Sequence, residues 1–375
     1  MRLNIRVTDL ILLKSCVIEV YRELNELNLE SCLSKMKRGQ DLSFNVILDL
    51  IEQSKRVFAS EPQLIEVDRD FTKSLHGIVF VGDTHGDFSS TLAVFSEFDP
   101  RQYLIIFLGD YVDRGPNSVR NINYILVQKL LHKKNIIVLR GNHETPMANF
   151  YHGFNEELVH IYSKNSLKLF EKYNELFSTM PYSALLEENA ILALHGGIAT
   201  KLKKIHELNK IRKGDLIPKD PTAFQILWND PNEEVPGINF LKSKRGENCF
   251  YFGKDIVEDF LSNNNLCYIV RGHGHQLEGY NYFFKKQLEQ KSNLTKRQDS
   301  SLIPCLVRGF KGRVLSVCSS KILKVTDPKL ALVEGDKLSI ISIANICKKR
   351  GIQMTSVPTW AKPDIWSRKN TVTRW

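Results

Sequence analysis

The sequence predicts an α/β fold in which short strands alternate with helices, and two observations predict it. Apolar runs of strand length, such as residues 78–81 and 104–108, are followed by apolar residues at helical spacing. Five such runs also end in polar residues beside glycine. In sheets layered with helices, sites form where loops leave the carboxyl ends of neighbouring strands, so we expect the five loops to meet at one place.

The composition is that of a soluble globular protein with one large or two medium domains, because the chain has 375 residues of which 42% are apolar. We find neither the apolar run of ~18 residues that a membrane helix needs nor a cleavable secretory signal. We therefore expect a cytoplasmic, intracellular protein with no membrane contact. The 7 cysteines are scattered and never form a Cys-x-x-Cys pair, which argues against a disulfide framework and predicts that most are small buried residues.

The formal net charge of +10 would suit a polyanionic partner such as nucleic acid, an acidic protein or a phosphorylated substrate. The basic residues are dispersed along the chain, however, rather than concentrated in one patch. From the charge, we do not expect nucleic acid as a partner.

Before the first of these strands, apolar residues recur twice at helical spacing, from Val17 to Leu27 and from Phe44 to Phe58. We predict a helical N-terminal extension, residues 1–66, that packs on a catalytic domain spanning residues 67–346. Within that domain, residues 284–312 are basic and polar and are typical of a surface insertion, while strands are predicted at 314–317 and within 329–343. Residues 347–375 are predicted to form a basic C-terminal tail.

Polar residues that could bind a metal or a phosphate follow each of the five apolar runs. They are Asp83 and His85 after residues 78–81; Asp110, Asp113 and Arg114 after 104–108; Asn142 and His143 after 136–139; His195 after 191–194; and His273 after 267–270. A single histidine at a strand end is usually structural. Five such loops in one chain argue against that interpretation for the whole set.

Six of these residues could hold two cations. Asp83 and His85 can turn towards one cation, and Asp110 can bridge it to a second. Asn142, His195 and His273 can complete the second cation's ligands. A mixed carboxylate, imidazole and amide set suits manganese, iron or zinc better than calcium or magnesium. Two cations about 3.5–4 Å apart share a hydroxide, lower its pKa and clamp the oxygens of an in-line displacement.

The other residues suit the hydrolysis of a phosphate ester. Arg114 can bind the phosphoryl oxygens through two parallel hydrogen bonds. His143 follows Asn142 directly and is suited to protonating the leaving oxygen. Asp113 could hold that imidazole in the protonated, correctly turned form.

Three motifs resemble the signature of the phosphoprotein phosphatase family, the metal-dependent serine/threonine phosphatases within the calcineurin-like metallophosphoesterase superfamily. They are Gly82-Asp83-Thr84-His85-Gly86, Gly109-Asp110-Tyr111-Val112-Asp113-Arg114-Gly115 and Gly141-Asn142-His143-Glu144. Further matches follow in the family's order at residues 195–197, 227–231, 245–246, 252–253, 271–273 and 279–280. The resemblance therefore covers roughly residues 60–325.

The resemblance implies a central two-sheet β-sandwich flanked by helices, with a dinuclear site of manganese, iron or zinc. It implies a hydrolase that dephosphorylates phosphoserine and phosphothreonine in proteins by attack of a metal-bound hydroxide, without a covalent phosphoenzyme. By matching positions it assigns the same six residues to the metals and His143 with Asp113 to leaving-group protonation. It assigns both Arg114 and Arg245 to phosphate, and a regulatory subunit is a further partner that it allows.

The sequence departs from the family pattern at four places, one of which is the insertion at residues 284–312, which is extra relative to the family. The family's Ser-Ala-Pro-Asn-Tyr loop, whose tyrosine reaches over the active site, corresponds to residues 318–322, which contain no tyrosine. Asp87 stands where many members have glutamine. Residues 272–275, Gly-His-Gly-His, resemble the last motif of the wider superfamily, and on that basis we hypothesise that His275 is a seventh metal ligand; the alternative is a supporting or exposed histidine.

Two other functions stay open from the sequence. A nucleotide or nucleic-acid phosphoesterase would use the same metal site and is favoured by the positive charge and by the Gly-His-Gly-His motif. A non-catalytic scaffold that binds phosphoproteins or nucleic acid is the least favoured function, because no ligand of the metal site is missing.

Overall fold

Two large β-sheets form the centre of the molecule in the computed structural model, which describes residues 27–188, 190–274, 276–285, 307–322 and 325–355. The strands are β1 (Leu64–Val67), β2 (Gly77–Val81), β3 (Tyr103–Phe107), β4 (Ile136–Val138), β5 (Ser183–Leu186), β6 (Ile191–Leu194), β7 (Asp230–Pro231), β8 (Phe240–Lys242), β9 (Phe250–Phe252), β10 (Tyr268–Arg271), β11 (Tyr280–Lys285), β12 (Gly312–Val317), β13 (Lys329–Glu334) and β14 (Lys337–Ser342). One sheet has the strand order β1-β5-β6-β10-β12-β11 and the other has the order β14-β13-β2-β3-β4. A small third sheet has the order β7-β9-β8.

Helices flank both sheets. They are α1 (Leu29–Lys37), α2 (Phe44–Ser60), α3 (Arg69–Lys73), α4 (Phe88–Glu97), α5 (Ser118–Leu131), α6 (Pro146–Asn149), α7 (Phe154–Tyr162), α8 (Ser166–Phe177), α9 (Pro221–Trp228), α10 (Lys254–Asn263) and α11 (Ile343–Arg350), with 3-10 turns at Ser163–Asn165 and Ile205–Lys210. The predicted α/β sandwich flanked by helices is confirmed.

Alternate residues of the strands build the core between the sheets. Ile78 and Phe80 of β2 and Ala184 and Leu186 of β5 belong to it. The residues between them in β2, such as Val79, pack instead into the helical layer. Both faces of these strands are therefore buried, which explains why the sequence shows uninterrupted apolar runs rather than an apolar and polar alternation.

The strands that precede the predicted site residues run parallel within each sheet. β2, β3 and β4 are parallel neighbours in one sheet, and β6, β10 and β12 are parallel neighbours in the other. A parallel bridge between Asp83 and Cys318 joins the two sheets beyond the carboxyl ends of β2 and β12. The loops that follow five of these strands consequently meet at one edge of the sandwich, as the sequence predicts.

The N-terminal helices pack on this framework. α1 contacts α5, and α2 contacts both α5 and α8. Ile47, Leu50, Ile51 and Phe58 of α2 are fully buried, as expected from the helical spacing that begins at Phe44. The helical spacing predicted from Val17 falls on residues 1–26, which lie outside the described residues.

The closing strands predicted near the C-terminus are present as β12, β13 and β14. Most of the predicted insertion, at 286–306, and most of the predicted tail, at 356–375, lie outside the described residues. The boundary predicted after residue 346 falls within α11. The division into residues 1–66, 67–346 and 347–375 stays a prediction.

Four cysteines, Cys32, Cys249, Cys318 and Cys347, are buried free thiols, as expected for most of the seven. Cys267 is disulfide-bonded, where the sequence predicted no disulfide framework.

Among the described helices, none combines the length and the apolar character needed to cross a bilayer.

Candidate active site

The ten residues singled out from the sequence lie together at the carboxyl edge of the two sheets. Eight of them line one open cavity: Asp83, His85, Asp110, Arg114, Asn142, His143, Arg245 and His273. Asp113 and His195 are fully buried and contact these lining residues. The cavity wall also includes Met147, Ala148, His152, Trp228 and Gly274.

Several of these residues have a left-handed backbone, which side chains other than glycine rarely adopt. The φ angles are 42° at His85, 58° at Asp110, 73° at Asp113, 66° at Arg114 and 51° at His273. Each such conformation costs on the order of 1–3 kcal/mol and persists only where the surroundings enforce it, typically at functional sites. Sequence periodicity gives no signal for it.

Two glycines let the loops after β3 and β4 touch backbone to backbone. A Cβ atom on Gly109 would lie 2.6 Å from Gly141 Cα and 2.7 Å from His195 Nδ1. A Cβ atom on Gly141 would lie 2.3 Å from the amide nitrogen of Asp110. Only glycine at both positions brings the Asp110 and Asn142 loops this close.

Asp110 lies between two histidines that belong to different sheets. Its Oδ2 is 3.4 Å from His85 Nε2, and its Oδ1 is 3.3 Å from His195 Nε2. Two ligand atoms that each lie about 2.1 Å from one cation are roughly 3 Å apart when their bonds to the cation form a right angle. These distances therefore suit a carboxylate that bridges two cations, each shared with one histidine.

Hydrogen bonds from the Nδ1 atoms set the tautomers of both histidines. His85 Nδ1 donates to the Val112 carbonyl oxygen at 2.9 Å, and His195 Nδ1 donates to the Leu108 carbonyl oxygen at 2.8 Å. In the neutral ring, Nε2 is then an acceptor that can bind metal. His195 Nε2 also lies 2.9 Å from Asn142 Oδ1, so two acceptor atoms face each other as ligands of one cation would.

Asp83 and His273 complete the group. The carboxylate of Asp83 accepts a hydrogen bond from the His273 amide at 2.8 Å, which ties the loop after β2 to the loop after β10. Within the described residues, His273 Nε2 is buried without a hydrogen-bond partner. A buried nitrogen of this kind is costly unless a ligand uses it, so the donor set fits a pair of metal ions.

The electrostatics also favour bound cations. Burial raises the pKa of Asp83 to about 6, and burial together with the charges of Asp83 and Glu144 raises the pKa of Asp110 well above its usual range. Burial lowers the pKa of His195 to about 3, so its ring is neutral. Neutral imidazoles and crowded carboxylates are ready to bind cations, whose charge would keep the carboxylates ionised.

A second group, beside the first, can transfer a proton. His143 Nδ1 donates to Asp113 Oδ2 at 2.6 Å, and Asp113 Oδ1 accepts from the Phe154 amide at 3.0 Å. The His143 amide also donates to Asp110 Oδ1 at 2.9 Å. Asp110 therefore joins the metal-binding group to the proton-transfer group through one carboxylate.

Both arginines line the cavity. Arg114 Nη2 lies 3.2 Å from His143 Nε2, and the Arg114 amide donates to the His152 carbonyl oxygen. Arg245 is about one-third exposed, and its Nε donates to Asp230. The other oxygen of Asp230 accepts from Arg271 Nη2 at 2.8 Å, so Asp230 connects Arg245 to the buried Arg271.

Sequence reasoning missed three residues that hold the site together. The buried Glu144 accepts hydrogen bonds from the amides of Asp110, Tyr111 and Gly141, at 2.8, 2.8 and 2.9 Å. Asp230 and Arg271 form the pair that supports Arg245. Glu144 and Arg271 each lie two residues from a predicted metal ligand, and a charged residue so close to a ligand position is the signal that could have found them. For Asp230 the signal is the family match at residues 227–231.

The residues that depart from the family pattern at 318–322 and at Asp87 lie beside the site. Ile322, at the position that corresponds to the tyrosine, is buried. Asp87 caps α4 through the Ser90 amide and accepts a hydrogen bond from the Lys321 amide at 3.0 Å. Asp87 thus fixes the end of the altered loop. His275, the hypothetical seventh ligand, lies outside the described residues.

Comparisons with known proteins agree with this fold. A family model described as calcineurin-like phosphoesterase matches residues 76–277. A solved protein serine/threonine phosphatase from Saccharomyces cerevisiae, described as similar to human phosphatase PP5, has a TM-score of 0.66 at 25% identity, covering 86% of this chain and 94% of its own. A cold-active protein-tyrosine phosphatase from a psychrophilic Shewanella has a TM-score of 0.50 at 14% identity, covering 77% of this chain and 84% of its own, and shares the fold.

Proposed function

The chain belongs to the calcineurin-like phosphoesterase family, and from this premise we propose that it is a serine/threonine protein phosphatase. The family makes it a phosphoesterase that uses divalent metal ions. The preference for phosphoserine and phosphothreonine is supported by the similarity to the yeast serine/threonine phosphatase, which extends over nearly the whole of that chain. The proposed substrates are phosphorylated proteins, with a regulatory subunit as a further candidate partner.

One observation carries the proposal. The six candidate metal ligands, two arginines and the His143–Asp113 pair all border the same cavity or contact its lining. A scaffold that only binds phosphoproteins would need the arginines but not the buried donor atoms or the proton-transfer pair. The combination is what hydrolysis of a phosphate ester requires.

We assign Asp83, His85, Asp110, Asn142, His195 and His273 to the metals, with Asp110 shared between them. The mixed oxygen and nitrogen donors favour manganese, iron or zinc. When bound, such a pair of ions lowers the pKa of water towards neutrality and neutralises phosphate charge.

Arg114 and Arg245 are proposed to hold the phosphoryl oxygens by charge-assisted hydrogen bonds. Arg114 Nη2 donates to His143 Nε2 at 3.2 Å. This Nε2 atom is the nitrogen that must carry the proton for the leaving oxygen. When Arg114 turns to the phosphoryl group, His143 Nε2 can instead bind a proton and give it to the leaving serine or threonine oxygen. Asp113 accepts from Nδ1 throughout and stabilises the imidazolium.

The test is a substrate screen with manganese-loaded protein. The panel contains matched phosphoserine, phosphothreonine and phosphotyrosine peptides, dinucleoside polyphosphates and single-stranded DNA. We expect kcat/KM for the phosphoserine and phosphothreonine peptides to exceed all others by at least about tenfold, a difference of about 1.4 kcal/mol in transition-state stabilisation. A preference for the nucleotides or DNA would replace the proposal with a nucleotide or nucleic-acid phosphoesterase.

A further inference from the structure

Arg140 is a buried charge that the proposed reaction does not use. It lies directly before the turn that carries Asn142 and His143, and it is 1% exposed. Its Nε donates to the Glu144 carbonyl oxygen at 3.1 Å, so the side chain closes the turn from Arg140 to Glu144. This turn carries one candidate metal ligand and the candidate general acid. A shift of Arg140 would therefore move both of them.

The far end of the Arg140 guanidinium depends on a distant part of the chain. Its Nη1 donates to the Asp215 carbonyl oxygen at 3.0 Å, and its Nη2 donates to the Leu216 carbonyl oxygen at 2.7 Å. The Tyr182 hydroxyl is a further acceptor, at 3.3 Å from Nη1. A buried donor left unpaired costs about 1–3 kcal/mol, and more when it is charged. Residues 211–217, which we call the connecting segment, therefore determine where the guanidinium can lie.

Lys213 fixes the connecting segment to the helical layer. Its Nζ donates to the Phe58 carbonyl oxygen at 2.6 Å and to the Thr179 carbonyl oxygen at 2.8 Å. Phe58 lies in the last turn of α2, and Thr179 follows the end of α8. The carboxyl ends of helices favour a cation, because their last carbonyl oxygens lack a partner within the helix. The half-buried Lys213 thus joins two helix ends to the connecting segment.

The neighbouring contacts of the connecting segment are longer. Gly214 follows Lys213 with a φ of 101°, and a Cβ atom on it would meet nothing within 4 Å. Its amide donates to the Ser178 carbonyl oxygen at 3.0 Å, and Gln63 Nε2 donates to the Ile211 carbonyl oxygen at 3.3 Å. Glycine gives the backbone many conformations. We therefore expect the segment to move when the two shorter bonds of Lys213 are lost.

We propose that Lys213 is a positioning residue for the catalytic centre. It fixes the connecting segment, the segment supplies the acceptors of Arg140, and Arg140 orients the turn that carries Asn142 and His143. Through these contacts α2, in the N-terminal extension, contributes to the geometry of the site. The effect on turnover rests on the proposed phosphatase function, whereas the effect on metal binding does not.

The test compares manganese binding by the wild type and by Lys213→Met, which removes the donors but keeps an unbranched side chain. Manganese-loaded protein is dialysed against decreasing concentrations of free manganese, and bound manganese is measured by elemental analysis. We expect the concentration for half saturation to rise at least about fivefold in Lys213→Met, because residues that orient metal ligands typically contribute about 10–100-fold to affinity. Lys213→Arg can donate to both carbonyl oxygens and should restore most of the affinity.

Turnover gives a second measurement, made at saturating manganese. Because His143 moves with the same turn, kcat of Lys213→Met on a phosphoserine peptide should fall at least about tenfold. The loss on p-nitrophenyl phosphate, whose leaving group needs no proton, should be much smaller. Lys213→Arg should restore kcat on the peptide.

Two controls separate this effect from a loss of charge and from a loss of stability. Lys210→Met removes an exposed lysine close to the connecting segment and should bind manganese like the wild type. Asp68→Ala removes the side-chain cap of α3 and should lower Tm without weakening manganese binding. If Lys213→Met does not fold, as judged by circular dichroism, Lys213→Gln replaces it.

Manganese binding that is unchanged in the Lys213 variant would overturn the proposal, whatever happens to Tm, and so would weak binding that Lys213→Arg does not restore. A wild type that binds manganese but hydrolyses no phosphopeptide would refute the phosphatase function instead. In that case manganese binding still decides the role of Lys213.

Discussion

At the scale of single residues, His143 has the most specific proposed role. Replacing it by asparagine keeps a donor towards Asp113 but removes the proton for the leaving oxygen. We expect kcat on a phosphoserine peptide to fall by about 10²–10⁴-fold, the usual contribution of general acid catalysis. The two manganese ions should stay bound, as measured by elemental analysis.

The leaving group provides a control for this variant. p-Nitrophenolate leaves without protonation, so His143→Asn should lose much less activity on p-nitrophenyl phosphate than on the peptide. Equal losses on both substrates would mean that His143 acts on the phosphoryl group or the metals rather than on the leaving oxygen.

Asp230 is predicted to act through Arg245. Its carboxylate accepts from Arg245 Nε and from Arg271 Nη2, so the exposed arginine is oriented by the buried one. In Asp230→Asn, Arg245 should lose its fixed direction and bind phosphate less well. We expect KM for phosphopeptide to rise about tenfold and kcat to change less than about threefold. The reason is that Arg245 would bind the phosphate equally in the ground state and in the transition state, so its loss weakens both to the same extent.

This variant also removes the partner of a buried charge, so some loss of stability is expected. Activity and urea unfolding should therefore be measured on the same samples at a temperature where both proteins are folded. A fall in kcat at constant KM would assign Asp230 to the chemical step instead.

At the scale of elements, the start of α5 depends on the carboxylate of a half-buried glutamate. Glu157 of α7 accepts hydrogen bonds from the amides of Ser118 and Val119 at 2.8 and 3.0 Å, where α5 begins after the Arg114 loop. Burial raises the pKa of Glu157 to about 8 from its usual 4.5. At a pH between these two pKa values, Glu157 keeps its proton in the folded state and loses it in the unfolded state.

The stability of the wild type should therefore fall relative to Glu157→Gln as the pH rises from about 4.5 to about 8. The free energy of unfolding of the wild type minus that of Glu157→Gln should decrease over this pH range by on the order of 1–4 kcal/mol. Urea unfolding at pH 5 and at pH 8 measures it. Glu156→Gln, an exposed neighbour on the same helix, is the control, and a difference that does not vary with pH would contradict the prediction.

The sequence predicts the elements around the site well because each ligand loop has local signals. An apolar run followed by glycine and polar residues marks the ends of β2, β3, β4, β6 and β10 without any tertiary information. The left-handed backbone at Asp113 and Arg114 could not be predicted in this way, since the contacts of this loop come from a distant segment, such as the bond from the Arg114 amide to the His152 carbonyl oxygen. The same holds for the hydrogen bond between Asp230 and Arg271, which lie 41 residues apart.

At the scale of the whole molecule, the proposed metal ions would connect the two sheets. Asp83, His85, Asp110 and Asn142 follow strands of one sheet, whereas His195 and His273 follow strands of the other. The division into two sheets is not visible in the apolar runs, because parallel strands of either sheet have the same buried pattern. Here the family resemblance predicted what the strand pattern alone did not.

Removal of the metals should therefore weaken the entire sandwich as well as stop turnover. We expect treatment with a chelator to abolish activity and to lower Tm by at least about 3 °C, since ligands that bind only the folded state stabilise it. Manganese should restore both. Asp110→Asn should show a much smaller chelator effect on Tm, and an equal effect in both proteins would mean that the stabilising ion binds elsewhere.

The bridge between Asp83 and Cys318 has a consequence for the dynamics of the molecule. The Ser319 amide donates to the Asp83 carbonyl oxygen at 3.2 Å, and Ser319 Oγ accepts from the Gly82 amide at 2.9 Å and donates to the Lys329 carbonyl oxygen. These bonds tie one sheet to the other, so the amides in this irregular loop are expected to be as well protected from solvent exchange as those of the central strands. We therefore expect the edge that holds the site to be the last part of the sandwich to open, and local opening to begin at the opposite edge.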